Sequence, residues 1–128
     1  MLGVRLRRIV PHDALVIWVK RGQILTPEYV SGEDYRLFSA LEIPLGQGLS
    51  GWVAENRKPI INGNPSVEPG YLNDETKFTT MRSALAVPLV GLNGTVSVLT
   101  LYHSERDAFS KDHLRILLAI VPKVALSI

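Results

Sequence analysis

The sequence predicts an α+β domain built around an antiparallel sheet, and three observations carry that reading. Two β-rich apolar runs, residues 84–90 and 95–102, flank Gly91-Leu92-Asn93-Gly94. Asn-Gly between such runs is a strong hairpin signal, because both residues tolerate positive φ. A second pair of runs, 14–19 and 24–30, surrounds Lys20-Arg21-Gly22-Gln23. Finally, Leu114, Leu117, Leu118, Val121, Val124, Ala125 and Ile128 recur at helical spacing and draw one apolar stripe along a terminal helix. Hairpins dominate the element order, so the strands are expected to pair antiparallel, five or six of them in one sheet.

Each element has a local reason. Residues 5–10 read as the tail of a helix that Pro11 ends, since proline cannot continue it and restricts the residue before it. Ala14-Leu15-Val16-Ile17-Trp18-Val19 is continuously apolar, as a central strand covered on both faces should be. The returning strand holds Pro27, which argues for an edge position. Residues 33–42 read as a short helix through Leu37, Phe38 and Leu41. Ile43-Pro44-Leu45 is extended, Gly46 to Gly51 turn tightly, and a helix runs from about Ser50 to Lys58. Pro59-Ile60-Ile61-Asn62 is a short strand. Residues 63–81 contain Gly63, Pro65, Pro69 and Gly70 and form a long irregular connection, of a length that usually serves function. Ser110 is a good N-cap, with Asp112 in the first turn after it. Pro122 removes the donor that would bond the Leu118 carbonyl and predicts a kink.

Composition sets the limits. The 128 residues fit one domain, 1–128, whose ends read as truncated helices over 1–10 and 110–128. Hydrophobic residues make up 46% and charged residues 20%, which excludes a disordered chain. The sequence has no Cys, so disulfides, thiolate zinc sites, cysteine nucleophiles and thioether-linked cofactors are all excluded. No apolar run approaches the ~20 residues of a membrane span, and the first residues lack the apolar stretch of a signal peptide. A cytoplasmic location is expected, and Asn93-Gly94-Thr95 reads as a turn rather than a glycosylation site. Formal charge is +2, with Arg5, Arg7 and Arg8 on a solvated helix face. That balance gives no ground for nucleic-acid or membrane partners.

The motif with the sharpest chemical meaning is Gly46-x-Gly48-x-x-Gly51, which matches a dinucleotide-binding turn letter for letter. Its context does not match: the preceding strand is short and holds Pro44, and hairpins lie on both sides. Tight backbone packing at the helix start explains the glycines better. His12, His103 and His113 have no ligand spacing and read as surface residues, so no metal is expected. Ser50 lacks the pattern of a nucleophile elbow. The carboxylates Glu28, Glu33, Asp34, Glu42, Asp74 and Glu75 are scattered, and none pair for acid–base work. The chain is therefore not expected to be an enzyme. Trp18 and Tyr102 on strands, and Tyr71 and Phe78 in the long connection, are the aromatics able to cover a bound molecule.

Five stretches in order resemble the GAF family, sensor domains related in architecture to PAS domains. They are Ile43 through Asn56 with its glycine turn and helix, then Pro59-Ile60-Ile61-Asn62, then Ala84 through Leu89 with Pro88. Gly94 through Leu101 and Phe109-Ser110-Lys111-Asp112 with Leu117-Leu118 complete the set. Together they cover nearly the whole chain. The resemblance implies terminal helices on one sheet face and short helices and loops over a ligand pocket on the other. Alternation then sorts the last strand into two sets. Small Ser97, with Thr95, Leu99 and Leu101, is expected under the helices. Val96, Val98, Thr100 and Tyr102, with Val16 and Trp18, are expected to face the pocket. The ligand-binding set is thus Val16, Trp18, Leu49, Ser50, Tyr71, Thr76, Phe78, Thr80, Thr100 and Tyr102, a lining that suits a small, largely uncharged molecule.

Departures from the family pattern narrow the ligand. Asn62 and Asn64 stand where the family often has Asp, and Ser97 replaces a usual Gly. Arg82-Ser83 stands where cyclic-nucleotide binders carry Asp-Glu. Without Cys there is neither covalent bilin attachment nor the catalysis of free methionine sulfoxide reductases of this fold. The resemblance implies a sensory module that passes ligand state through its terminal helices to an output domain, a diguanylate cyclase or histidine kinase, and that forms a homodimer through those helices. The alternative is a ligand-free dimerisation module.

Overall fold

The apolar run that reads as a doubly covered strand, residues 14–19, lies at the centre of a six-stranded sheet, beside the last strand. The computed structural model describes residues 2–32, 39, 41–65, 81–90 and 96–125. Within them the order is α1 (Leu2–Ile9), β1 (Ala14–Arg21), β2 (Ile24–Gly32), β3 (Ile43–Pro44), α2 (Gly48–Asn56), β4 (Ile60–Gly63), β5 (Ser83–Val90), β6 (Val96–His103) and α3 (Lys111–Ala125). The strands lie in the order β3-β2-β1-β6-β5-β4, and every neighbouring pair is antiparallel. The α+β class and antiparallel pairing are those expected. The turn at 91–95 and the short helix expected over 33–42 fall largely outside the described residues.

β1 and β6 pair in the middle, Ala14 against Tyr102 through Val19 against Ser97. β2 is not the outermost strand, yet β3 pairs with it only at Ile24 and Leu25. Pro27 lies past that short ladder, beside the register shift where Ile17 faces Tyr29 but Trp18 faces Pro27. A proline is accommodated at such a place because no ladder bond needs its missing N–H.

Two apolar layers cover the sheet. On one face Leu15, Ile17, Leu85, Val87, Leu89, Leu99 and Leu101 pack with Leu6 and Val10 at α1 and with Leu117 and Val121 of α3. On the other, Ala14, Val16, Trp18, Ala84, Ala86, Val98 and Tyr102 pack under Leu49, Val53 and Ala54 of α2. The period-2 sorting of β6 into a helix-facing set and an opposite set is therefore the observed one. The stripe of α3 needs one correction. Leu117 is fully buried, but Leu118 is 43% exposed. The two are adjacent and so lie ~100° apart around the helix, too far to share one narrow seam. Ile116 and Ile120 are half-buried against the same layer instead. α3 runs as one helix through Pro122 to Ala125.

The start of α3 is fixed by a reciprocal cap. The His113 N–H donates to Ser110 Oγ at 3.1 Å, and the Ser110 N–H donates to His113 Nδ1 at 3.0 Å. This is a capping box with His in the place of the usual Glu or Gln. The chain then turns through Phe109, whose ring meets His103 and His113 edge to face.

A second correction concerns His12, expected at the surface. It is only 4% exposed, and its Nδ1–H donates to the Val10 carbonyl at 2.8 Å. Pro11 is exposed, but Val10 is anchored in the helix-side layer and carries His12 inward with it. Burial pushes the imidazole pKa below its ordinary value, against a smaller raising effect of the Val10 hydrogen bond. The unfolded chain then binds more protons than the folded one once pH drops below the ordinary His value of about 6.5. Stability contributed by neutral His12 is present above that pH and is lost as pH falls toward the depressed folded value. Urea midpoints should therefore be flat from neutral to mildly basic pH and decline below about 6.5. His12→Gln should remove that part of the decline, and an unchanged pH slope in the variant would contradict the assignment.

Candidate functional site

The face opposite the terminal helices has a floor of small and hydroxyl-bearing side chains, set by strand register. Tyr102 lies between Ala14 and Ala84, and Thr100 between Val16 and Ala86. One step further along, Val98 lies between Trp18 and Pro88. Trp18 and Thr100 are thus diagonal neighbours on one face, a separation of about 7–8 Å that an indole spans.

α2 forms the roof, and its start is shaped by the glycine turn. The Gly46 N–H donates to the Gly51 carbonyl at 2.9 Å, and the Gln47 N–H to the Pro44 carbonyl at 3.1 Å. Gly51 sits so close to β3 that a Cβ there would overlap the Pro44 carbonyl oxygen. Gly48 has φ +63, in the left-handed region that favours glycine. The three glycines therefore close a turn against β3, as expected from packing. α2 itself begins at Gly48, two residues before the position expected from the sequence.

Ser50 and Thr100 pin roof to floor. Their hydroxyls are 2.9 Å apart, both side chains are fully buried, and either can donate. Trp18 is also fully buried, and its Nε1–H has no hydrogen-bond partner among the described residues. Of the ten residues predicted to bind a ligand, the structure brings six to this face: Val16, Trp18, Leu49, Ser50, Thr100 and Tyr102. Tyr71, Thr76, Phe78 and Thr80 lie outside the described residues. Ala84 and Ala86 escaped the sequence reading, although their alternation with Leu85 and Val87 put them in phase with Tyr102 and Thr100. Among the described buried side chains the one group able to carry a charge near neutral pH is His12, bonded to the Val10 carbonyl, so the described polar groups of this face, Ser50, Thr100, Trp18 and Tyr102, are neutral there. Among the described residues no group of three or more His, Asp or Glu could hold a metal ion. Nor is any described helix long and apolar enough to cross a membrane.

Asn62, a departure from the family pattern in the sequence, has a structural role. With φ +57 at the end of β4 it leaves the β4–β5 register, which shifts between Ile61 and Gly63. Its carboxamide then donates to the Phe109 carbonyl at 2.7 Å and accepts the Phe109 N–H at 2.9 Å. This brace ties the strand leading into the long connection to the turn leading into α3.

A helix-backed antiparallel sheet with a small roof helix over a neutral floor defines the fold class. The family comparison agrees: the model described as GAF domain matches residues 5–128, and the chain belongs to the GAF domain family. Solved structures share the fold. The GAF domain of a phosphoenolpyruvate-protein phosphotransferase from Coxiella burnetii is 19% identical, with 95% of this chain and 74% of that chain covered and a TM-score of 0.74. The GAF domain of a two-component sensor histidine kinase from Bacillus halodurans is 21% identical, covering 99% and 88%, with a TM-score of 0.73. A type II free methionine-R-sulfoxide reductase from Thermoplasma acidophilum is 23% identical, covering 95% and 83%, also at 0.73. Both a sensor module and an enzyme are thus built on this scaffold, and the likeness shows the fold alone. No curated protein matches the chain.

Proposed function

We propose that this domain is a non-enzymatic sensor that binds a small uncharged molecule between α2 and the sheet. The observation that carries the proposal is the Trp18 indole. A buried donor left without a partner costs about 1–3 kcal/mol, and native structures rarely leave one so. An acceptor atom on a bound molecule, such as a carbonyl, ether or ring nitrogen, would satisfy it. The described residues of this face carry no charge near neutral pH, which argues for an uncharged ligand, because a charge buried there would have no counterion among them. With no Cys, the chain cannot supply thiol chemistry. Tyr71, Thr76, Phe78 and Thr80 would complete the lining from the long connection.

Transmission would run through the sheet. Thr100 and Leu99 are adjacent on β6, one toward the ligand face and the other toward the terminal helices. A ligand that favours one arrangement of α2 over another shifts the population of that arrangement, and the helices at the far face carry the change to an output domain. We propose a diguanylate cyclase or a histidine kinase in that role, in the cytoplasm. Native mass spectrometry of the purified domain, with a screen of uncharged compounds for a raised unfolding midpoint, tests the binding claim. A saturable binder weakened in Trp18→Phe supports it, and the absence of any binder contradicts it.

The terminal helices also favour a second copy of the chain as partner. Ile9 on α1 is 48% exposed and Leu118 on α3 is 43% exposed, large apolar side chains on the outer surface of the helical layer. Pairing of those helices would cover them. Sedimentation velocity should show a concentration-dependent dimer that Leu118→Glu dissociates without loss of fold; a wild-type monomer throughout would contradict the pairing. Such a dimer without any ligand is the reading of the domain as a structural module.

A further inference from the structure

We propose that the joint between β6 and α3 is an acid-operated release: His103 and His113 each hold a backbone N–H while neutral, and charging them frees both N–H groups and loosens the start of α3. All three histidines of the chain gather at this joint, although they come from three parts of the sequence. His12 precedes β1, His103 ends β6, and His113 lies in the first turn of α3. The rings of His103 and His113 both meet the buried Phe109 ring, at centroid distances of 6.1 and 6.3 Å. His12 lies within electrostatic reach of His103.

Proton positions follow from the partners. A backbone N–H can only donate, so a ring nitrogen that meets one must be a bare acceptor. The Glu105 N–H donates to His103 Nδ1 at 3.0 Å, and the Ser110 N–H donates to His113 Nδ1 at 3.0 Å. Both rings therefore carry their proton on Nε2 when neutral. His12 is the opposite case, because its Nδ1–H donates to the Val10 carbonyl. A charged imidazole has a proton on each nitrogen and no lone pair to offer. Charging His103 or His113 turns its hydrogen bond into a contact between two donors.

What replaces the lost bond differs between the two rings. Asp13 Oδ2 lies 3.5 Å from His103 Nδ1 and already accepts the Ser104 N–H at 2.8 Å. Burial pushes the Asp13 pKa up, but hydrogen bonds from Ser104 and the nearby His103 and Arg7 together hold it below its ordinary value. Asp13 is thus ionised wherever histidines titrate, and a charged His103 ring moves from Glu105 to Asp13. The other charged or titratable groups around this ring are His12, Arg7 of α1, and Glu105, Arg106 and Asp107 of its own turn. Among the described residues, those beside His113 are Lys111 and the Asp112–Arg115 pair, whose partners are 2.8 Å apart. β4 and β5 carry no titratable side chain toward it. A positive ring there meets the partial positive charge of a helix start. Charging His113 therefore undoes half of the reciprocal cap with no carboxylate free to replace it. The Asn62 brace keeps hold of Phe109, so the change acts on the α3 side of that residue. That the release reaches an output domain rests on the sensor reading; the release itself does not.

The test is a titration of the full chain, labelled with ¹⁵N and ¹³C, from about pH 8 to about pH 5, the interval over which histidines take up charge. At the basic end, ring-nitrogen spectra should show His103 and His113 protonated on Nε2 and His12 on Nδ1. As the first two rings charge, the amide protons of Glu105 and Ser110 should move upfield with the midpoints of their rings, as amides do on losing an acceptor. The Cα shifts of Lys111 and Asp112 should lose helical character with the Ser110 midpoint. Two variants keep an acceptor that cannot be charged. Asparagine accepts the N–H two residues on, so His103→Asn should silence the Glu105 titration and the linked shift of the Asp13 carboxyl. Glutamine restores the usual capping box, so His113→Gln should silence the Ser110 titration and keep Lys111 and Asp112 helical. Either ring found protonated on Nδ1 at the basic end overturns the proposal. So do wild-type amides of Glu105 and Ser110 that ignore their rings, helical shifts at Lys111 and Asp112 that persist through the titration, or amide movement that survives in both variants. The first three results need only the wild type. None involves a compound under α2, so failure here leaves the sensor reading to be judged on its own test.

Discussion

Replacing Leu117 with Ala is expected to lower the stability of the domain by about 2–5 kcal/mol, whereas the same change at Leu118 should stay within about 0.5 kcal/mol. Leu117 is fully buried against the layer formed by Leu85, Val87, Leu99 and Leu101, so truncation removes apolar contact and leaves a cavity. Its neighbour is 43% exposed and loses little on truncation. Urea unfolding of the two variants beside the wild type reads the difference directly. Equal midpoints for Leu117→Ala and the wild type would mean that α3 does not dock through this residue, and the division of the sheet into a face under the terminal helices and a face under α2 would fall with it.

Saturation of the face under α2 is expected to have an effect of similar size and opposite sign. A compound at a hundredfold its dissociation constant stabilises the folded state by roughly 2.7 kcal/mol. For a domain of this size that corresponds to a rise of about 10 °C in unfolding temperature. Trp18→Phe keeps most of the ring but loses the N–H. It should cost about tenfold or more in affinity for a compound whose acceptor meets the indole, since pairing a buried donor otherwise left unpaired is worth about 1–3 kcal/mol and about 1.4 kcal/mol is tenfold. A binder that stabilises wild type and Trp18→Phe equally would contradict contact through the indole.

The parts of the fold that were legible in the sequence are those fixed by short-range pattern. Alternation in 95–102 separated Thr100 and Tyr102 from Leu99 and Leu101, because successive strand residues must point to opposite faces. Register then extended the same sorting to Val16 and Trp18. Gly46, Gly48 and Gly51 gave away the start of α2 through the backbone geometry they permit. What stayed hidden depends on distant contacts. Leu117 and Leu118 satisfy a helical stripe equally well, and only the rotation of α3 on the sheet decides between them. His12 looked like a turn residue at the surface until Val10 packed into the helix-side layer. The brace from Asn62 to Phe109 joins positions 47 apart, so nothing near either residue announces it. The orphan donor of Trp18 is of the same kind: sequence placed the ring on the ligand face, but its lack of a partner is a property of the packed core.

The measurement that bears most directly on the sensor reading is the indole N–H resonance of Trp18 in ¹⁵N-labelled protein. The chain has two Trp residues, and Trp52, 37% exposed on α2, gives a second indole signal that reports the roof helix. For any uncharged compound that raises the unfolding midpoint, the Trp18 indole proton should shift saturably and exchange more slowly, as a donor does on gaining an acceptor. A stabilising compound that leaves Trp18 unmoved at saturation would contradict binding through this donor. A purified domain that carries no small molecule and responds to none would contradict the ligand site itself.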